Sequence, residues 1–249
     1  TYDTFAPHNG SSPSQTVVSN NNVYVGASRL QLSHGGPGIG YMNTNAISDS
    51  HFAGEPGIRL GQNGSANSES RRIATTLSFR DPANMTQYLP VQDLSFRLHD
   101  VDAGDSIRIL AYDQDGTLIP FTTANYSLHP NTQISFNSST RWFSSSSSID
   151  SANNARRGTI DVNFTGYQVR EVVVQYYDVA STGTYTIAQL AGCSVPLSVY
   201  KTTIGGPGGP FSFTSTNTSR TGAVAVSTTS ASSPTQLSLI HISEPTRRY

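Results

Sequence analysis

Between Leu94 and Thr123 the chain alternates apolar and polar residues twice, and that period admits little but strands with one buried face. Leu94, Phe96 and Leu98 make the first series, and Ile107, Ile109 and Ala111 the second. Two acidic, glycine-containing loops punctuate the runs, Asp100–Asp105 and Asp113–Gly116. The stretch therefore reads as strand, loop, strand, tight turn, strand. Such a meander leaves an apolar face that a second sheet must cover, so the expected fold is an all-β, antiparallel β-sandwich.

The flanking sequence repeats the theme. Val17–Val18, Val23–Val25, Leu30–Leu32, Ile39–Met42 and Gly57–Leu60 are short apolar pieces set among Asn, Ser, Gly and Pro, the residues that make turns. Ile73, Thr75, Leu77 and Phe79 alternate until Asp81-Pro82 breaks the run, and Asn84–Leu89 reads as a helical turn or crossover loop. Further strands are expected at Ile134–Phe136 and Ile160–Phe164. Val172–Tyr177 is apolar on both faces, as a strand in the middle of a sandwich would be. Tyr185–Leu190 and Val195–Val199 would close the domain, the last strand pairing near the first.

Composition narrows the function classes. Of 249 residues only 12% are charged, and the formal net charge is −1. No basic surplus exists to recruit nucleic acid, and no apolar run is long enough to span a bilayer. The single cysteine, Cys193, excludes an intrachain disulfide and reads as a buried thiol.

Asp100, Asp102 and Asp105 supply the clearest chemistry. Three carboxylates in one short loop, with Gly104 letting the backbone curl, fit the oxygen-rich shell of Ca²⁺. The same aspartates could instead shape the turn through local hydrogen bonds. Asp113 and Asp115 belong to the opposite end of the sandwich, since the strand between the loops spans about 20 Å at about 3.3 Å per residue. Asp115-Gly116 reads as a type I′-like hairpin turn.

Catalytic patterns are weak. Asp100, Asp102, Asp105, Glu171 and Asp178 could furnish a glycosidase pair, but no spacing forces two of them across a cleft. His34-Gly35-Gly36 is like an esterase oxyanion loop, yet no G-x-S-x-G elbow accompanies it. His99 reads as a half-exposed residue at a strand end. Carbohydrate binding has better material. Trp142 and Phe143 form the expected exposed aromatic pair, and Tyr176 and Tyr177 must point to opposite faces, so one is core and the other a potential platform. Trp142 and Tyr177 are the candidate ligand-binding residues.

The succession of Leu94–Asp105, Ser106–Gly116, Val169–Val179 and Gly183–Cys193 resembles a jelly-roll module of large secreted and surface-displayed bacterial proteins, over roughly residues 15–198. The run Val199–Asn217, with its glycines and Phe211-Ser212-Phe213-Thr214, resembles the opening of a prealbumin-like or pilin-type surface repeat. In relatives of such repeats the first-strand lysine forms an isopeptide bond, and Lys201 matches that lysine by position. Its Asn or Asp partner would lie beyond this sequence. Leu237–Arg247 resembles the translation of a sequencing adapter. The expected organisation is thus a sandwich over 1–198, a linker and truncated second β-domain over 199–236, and a non-native tail over 237–249.

Two functions follow as expectations. One is a non-catalytic structural or adhesive module of a bacterial cell-surface protein, calcium-stabilised, with a host or cell-surface ligand and neighbouring repeats of its own chain as partners. The other is a carbohydrate-binding accessory module of a secreted glycan-active enzyme. Both place the chain outside the cell.

Overall fold

The computed structural model describes residues 9–18, 23–43, 57–63, 67–130, 132–146, 158–179, 183–194, 197–201, 208–214, 223–228 and 235–239. The chain divides into two compact units, Thr1–Ser194 and Val195–Tyr249. Among the described residues there is no α-helix, only 3₁₀ turns at Glu69–Arg71 and Thr123–Asn125. None of them forms a helix long and apolar enough to cross a membrane.

In chain order the first unit contains β1 (Asn9–Val18), β2 (Tyr24–Val25), β3 (Ser28–Asn43), β4 (Gly57–Asn63), β5 (Ile73–Asp81), β6 (Asn84–Tyr88) and β7 (Val91–His99). There follow β8 (Asp105–Asp113), β9 (Tyr126–Leu128), β10 (Ile134–Asn137), β11 (Trp142–Ser145), β12 (Ile160–Asn163), β13 (Gln168–Asp178) and β14 (Thr184–Ser194). Every named ladder is antiparallel, in the order β10-β11-β8-β13-β5-β3-β4-β14-β7-β12-β9.

The long β3 converts this one ladder into two layers. Arg29–Gly35 pair with β5 in the first layer, whereas Ile39–Asn43 pair with β4 in the second. Aromatic contacts confirm that the layers face each other. Phe143 on β11 and Tyr126 on β9 belong to opposite ends of the ladder, yet their rings meet edge to face with centroids 4.9 Å apart. Tyr176 on β13 and Tyr185 on β14 likewise lie 4.9 Å apart. The expected antiparallel, jelly-roll-like sandwich is the fold of this unit.

Alternation fills the space between the layers. Leu94, Phe96 and Leu98 of β7 and Ile107, Ile109 and Ala111 of β8 are all buried. They pack with Leu77, Phe79, Val172, Val174 and Ile187 in one continuous core. β13 is the central strand of its layer, paired with β8 on one side and β5 on the other. Its inner residues Val172, Val174 and Tyr176 are buried, and its outer residues Val173, Gln175 and Tyr177 are half-buried.

Three local expectations are corrected. Asn84–Tyr88 is a strand, not a helical turn: the Asp81 carboxylate accepts the Ala83 amide at 2.8 Å and closes a tight turn that returns the chain alongside β5. His99 is buried, its Nδ1 2.8 Å from Thr159 Oγ1, because β12 covers the strand end. Cys193 is exposed, because the register of β14 against β7 shifts twice after Ala188 and the inward alternation is lost.

The second unit has four described strands, β15 (Leu197–Lys201), β16 (Gly208–Thr214), β17 (Ala223–Thr228) and β18 (Thr235–Leu239). β15 pairs with β18, and β16 with β17 through Phe211 opposite Val226 and Phe213 opposite Val224. Leu237–Leu239, the beginning of the adapter-like run, pair with Val199, Ser198 and Leu197. Residues 240–249 of that run lie outside the described residues.

Candidate functional site

Strand register sorts the side chains of the first layer into an inner and an outer face. Phe143, Ile107, Tyr176 and Ile73 share one cross-strand row and all are buried in the core. The next row, Trp142, Arg108, Gln175 and Ala74, must then point away from the core. Ser144, Ser106 and Tyr177 occupy the row beyond it on the same outer face.

On this face the side chains are knit together. Trp142 and Tyr177 meet with ring centroids 5.0 Å apart and planes inclined at 69°. The Arg108 guanidinium lies 4.6 Å from the Trp142 ring centroid, donates from Nε to Gln175 Oε1 at 2.8 Å, and pairs through Nη1 with Glu69 at 3.2 Å. Cation–π stacking and the amide bond fix the fork of Arg108 in one orientation. Trp142 is not exposed as expected: it is 6% accessible, and Phe143 is fully buried among Phe121, Tyr126 and Phe136. Arg108 and Tyr177 cover the indole, whose Nε1 has no hydrogen-bond partner among the described residues. Tyr177 is half-buried and Tyr176 is core, which fixes the division between the two tyrosines.

Four residues back from Gln175 along β13, about 13 Å at about 3.3 Å per residue, Glu171 meets a second aromatic, Tyr88 of β6. The Tyr88 hydroxyl donates to Glu171 Oε2 at 2.8 Å, and Ser78 Oγ donates to the same oxygen at 2.9 Å. Burial, with Glu171 as hydrogen-bond partner and neighbouring charge, pushes the Tyr88 hydroxyl above its ordinary pKa.

The aspartate loop occupies one end of the sandwich. Asp105 lies opposite Asp178 at the end of the β8–β13 ladder, whereas Asp113 is at the other end opposite Val169, as the length of β8 requires. Asp105 is 1% exposed; its Oδ1 accepts from the Tyr176 hydroxyl and its Oδ2 from the Asp102 amide at 3.0 Å. Asp100 adopts φ 65°, left-handed backbone that Asp tolerates, and its Oδ2 accepts from Thr184 Oγ1 at 3.2 Å. Gly183 closes the cluster: a Cβ there would run into the Tyr176 hydroxyl and stand 2.7 Å from both Asp105 Oδ1 and Asp178 Oδ2.

Burial pushes the Asp105 carboxyl up to about 9, and the charges of Asp102 and Asp178 add to the rise while its two hydrogen bonds oppose it. Among the described residues no three His, Cys, Asp or Glu side chains converge so as to hold a metal ion. Asp113 is a turn-former, its Oδ1 accepting the amides of Asp115 at 3.0 Å and Thr117 at 2.8 Å.

His34, like His99, is a buried histidine. His34 is buried between Thr75 Oγ1 at 2.7 Å and the Gly61 carbonyl at 3.3 Å, and Thr75 continues the chain to the Tyr185 hydroxyl at 2.6 Å. Sequence reasoning missed Arg108, Gln175, Tyr88 and Glu171 as members of one face. For Arg108, Gln175 and Glu171 the available signal was a polar position within an otherwise apolar strand; β6, which carries Tyr88, offered none.

No family model matches the chain, and no curated protein matches it. Among solved structures it is similar to the family 11 carbohydrate-binding module of a cellulosomal cellulase of Clostridium thermocellum, at 11% identity over 75% of this chain and 96% of that one, with a TM-score of 0.28. A likeness that distant carries no information about what this chain binds.

Proposed function

We propose that the first unit is a non-catalytic glycan-binding module, displayed outside the cell by a secreted or surface protein, and that it binds through the outer face of its first layer. The observation that carries this reading is the row Trp142, Arg108, Gln175 with Tyr177 beside it. A sugar presents C–H faces and a ring of hydroxyls; an aromatic edge, a fixed guanidinium and an amide are the complementary groups. Adhesion, on this reading, is adhesion to glycan. The second unit is proposed as belonging to a surface repeat, on the strength of its two strand pairs.

Calcium is a separate proposal for the loop of Asp100, Asp102 and Asp105, motivated by the carboxylates that share one end of the sandwich with Asp178. It does not bear on the glycan reading.

Affinity electrophoresis in gels containing soluble glycans tests the binding face. Tyr177→Ala and Gln175→Ala should each weaken retardation by about tenfold, equivalent to about 1.4 kcal/mol, with little change in melting temperature because both side chains are partly exposed. Undiminished binding by the double variant would move the site elsewhere, and no retardation by any glycan would overturn the reading.

A further inference from the structure

The outer face carries a charge arrangement that neutral-sugar binding does not explain. Arg80 and Arg170 both lie over the ring of Tyr88, with Cζ 3.8 and 4.7 Å from its centroid. Arg29 stands directly across from Arg80 in the β3–β5 ladder. Like charges facing each other on a sheet are destabilising, so this end of the face calls for negative charge.

Glu171 supplies one negative charge beside these arginines, its Oε2 accepting from the neutral hydroxyls of Tyr88 and Ser78. Arg80 donates to uncharged oxygens, from Nε to Gln31 Oε1 at 3.0 Å and from Nη1 to the Thr86 carbonyl at 3.4 Å. Arg170 Nε is buried without a hydrogen-bond partner, and neither Arg80 nor Arg170 forms a salt bridge among the described residues. Asp113, in the turn beside Arg170, engages Oδ1 with its own turn amides.

Backbone geometry, not chance, brings Arg170 here. The β13–β8 register slips between Val169 and Glu171, making Arg170 an extra residue, and consecutive side chains Arg170 and Glu171 both reach Tyr88. A bulge of this kind re-aims a side chain at a cost to the ladder. Gly116, at φ 84°, leaves the space that the guanidinium fills. The surplus is local, since the whole chain has 15 basic and 16 acidic residues.

We infer that Arg80 and Arg170, stacked on Tyr88, form a subsite for a carboxylate, so that the glycan taken by this face is an acidic polysaccharide built from uronic acid units. Guanidinium forks match a carboxylate in two-point geometry, and stacking holds the forks in place before the ligand arrives. The inference rests on the glycan reading and adds the class of sugar.

Isothermal titration with polygalacturonate, its methyl-esterified form and a neutral β-glucan tests it, on the full chain with melting temperature as a folding control. The wild type should bind the free acid about tenfold or more tightly than the ester, with the preference shrinking as salt rises. Arg80→Gln/Arg170→Gln should erase that preference, bringing affinity for the acid down to that for the ester. Equal affinity for acid and ester, or a preference that survives the double variant, overturns the inference while the glycan reading stands. Binding of the acid that needs both arginines but tolerates Tyr177→Ala keeps the carboxylate subsite and removes Tyr177 from the site. No binding to any of the three polymers overturns the inference, while the glycan reading is decided by the electrophoresis panel.

Discussion

Asp105→Asn should flatten the dependence of the first unit's stability on pH between about pH 4 and about pH 9. The wild-type carboxyl is buried, and burial holds its folded-state pKa at about 9 against an ordinary value of 3.8. Over that window the folded protein keeps a proton that the unfolded chain has released. Stability from this group is therefore full below about pH 4 and is lost as pH rises through about 9, at up to about 1.4 kcal/mol per pH unit. An asparagine keeps the shape and cannot ionise. In chelator, the wild-type melting temperature should fall from pH 5 to pH 8 and that of Asp105→Asn should fall much less. Parallel curves for the two proteins would show that Asp105 does not titrate abnormally. Repeating the wild-type melts in millimolar calcium tests the ion: a rise that Asp102→Ala abolishes supports it. Identical melts in calcium and chelator leave the loop as a turn.

Phe143→Ala should cost about 3–5 kcal/mol, the range for deleting a buried ring, and lower the melting temperature by roughly 10 °C at about 2–4 °C per kcal/mol for a unit of this size. Phe143 is fully buried, with ring contacts to Phe121, Tyr126 and Phe136 at centroid distances of 6.0, 4.9 and 4.7 Å. Those contacts join β11 of the first layer to β9 of the second, so the cavity would open where the layers meet. Phe143→Leu should recover most of the loss. A change below about 1 kcal/mol in thermal or urea unfolding would return Phe143 to the exposed position expected of the Trp142–Phe143 pair.

The two predictions mark how differently parts of the chain could be read beforehand. Strands β5, β7, β8 and β13 were legible because their alternation is long enough to fix which face is buried. Tyr176 and Tyr177 were divided by the same rule, although only the structure says which is core. The Asp113–Gly116 turn was legible in place but not in type: Asp113 Oδ1 accepts the amides of Asp115 and Thr117, and of Asp115 and Gly116 only the glycine takes the positive φ that a type I′ turn needs at both. β6 was not, because Asn84–Tyr88 is short and has no buried residue to set a period.

Local pattern by itself determined the all-β class, the strand positions in the middle of the chain and the placing of the two acidic loops at opposite ends of one strand. These are questions of period and length, which a few consecutive residues answer. Only tertiary structure decided which side chains become neighbours. Trp142, Arg108 and Gln175 are 34 and 67 residues apart in sequence and meet because β11, β8 and β13 lie side by side in a particular register. The bulge that turns Arg170 toward Tyr88, and the burial that turns Asp105 into a weak acid, also depend on partners distant in the chain. A residue's period tells which way it points; what it meets there is set by strand order, and strand order is fixed by the packing of the whole core.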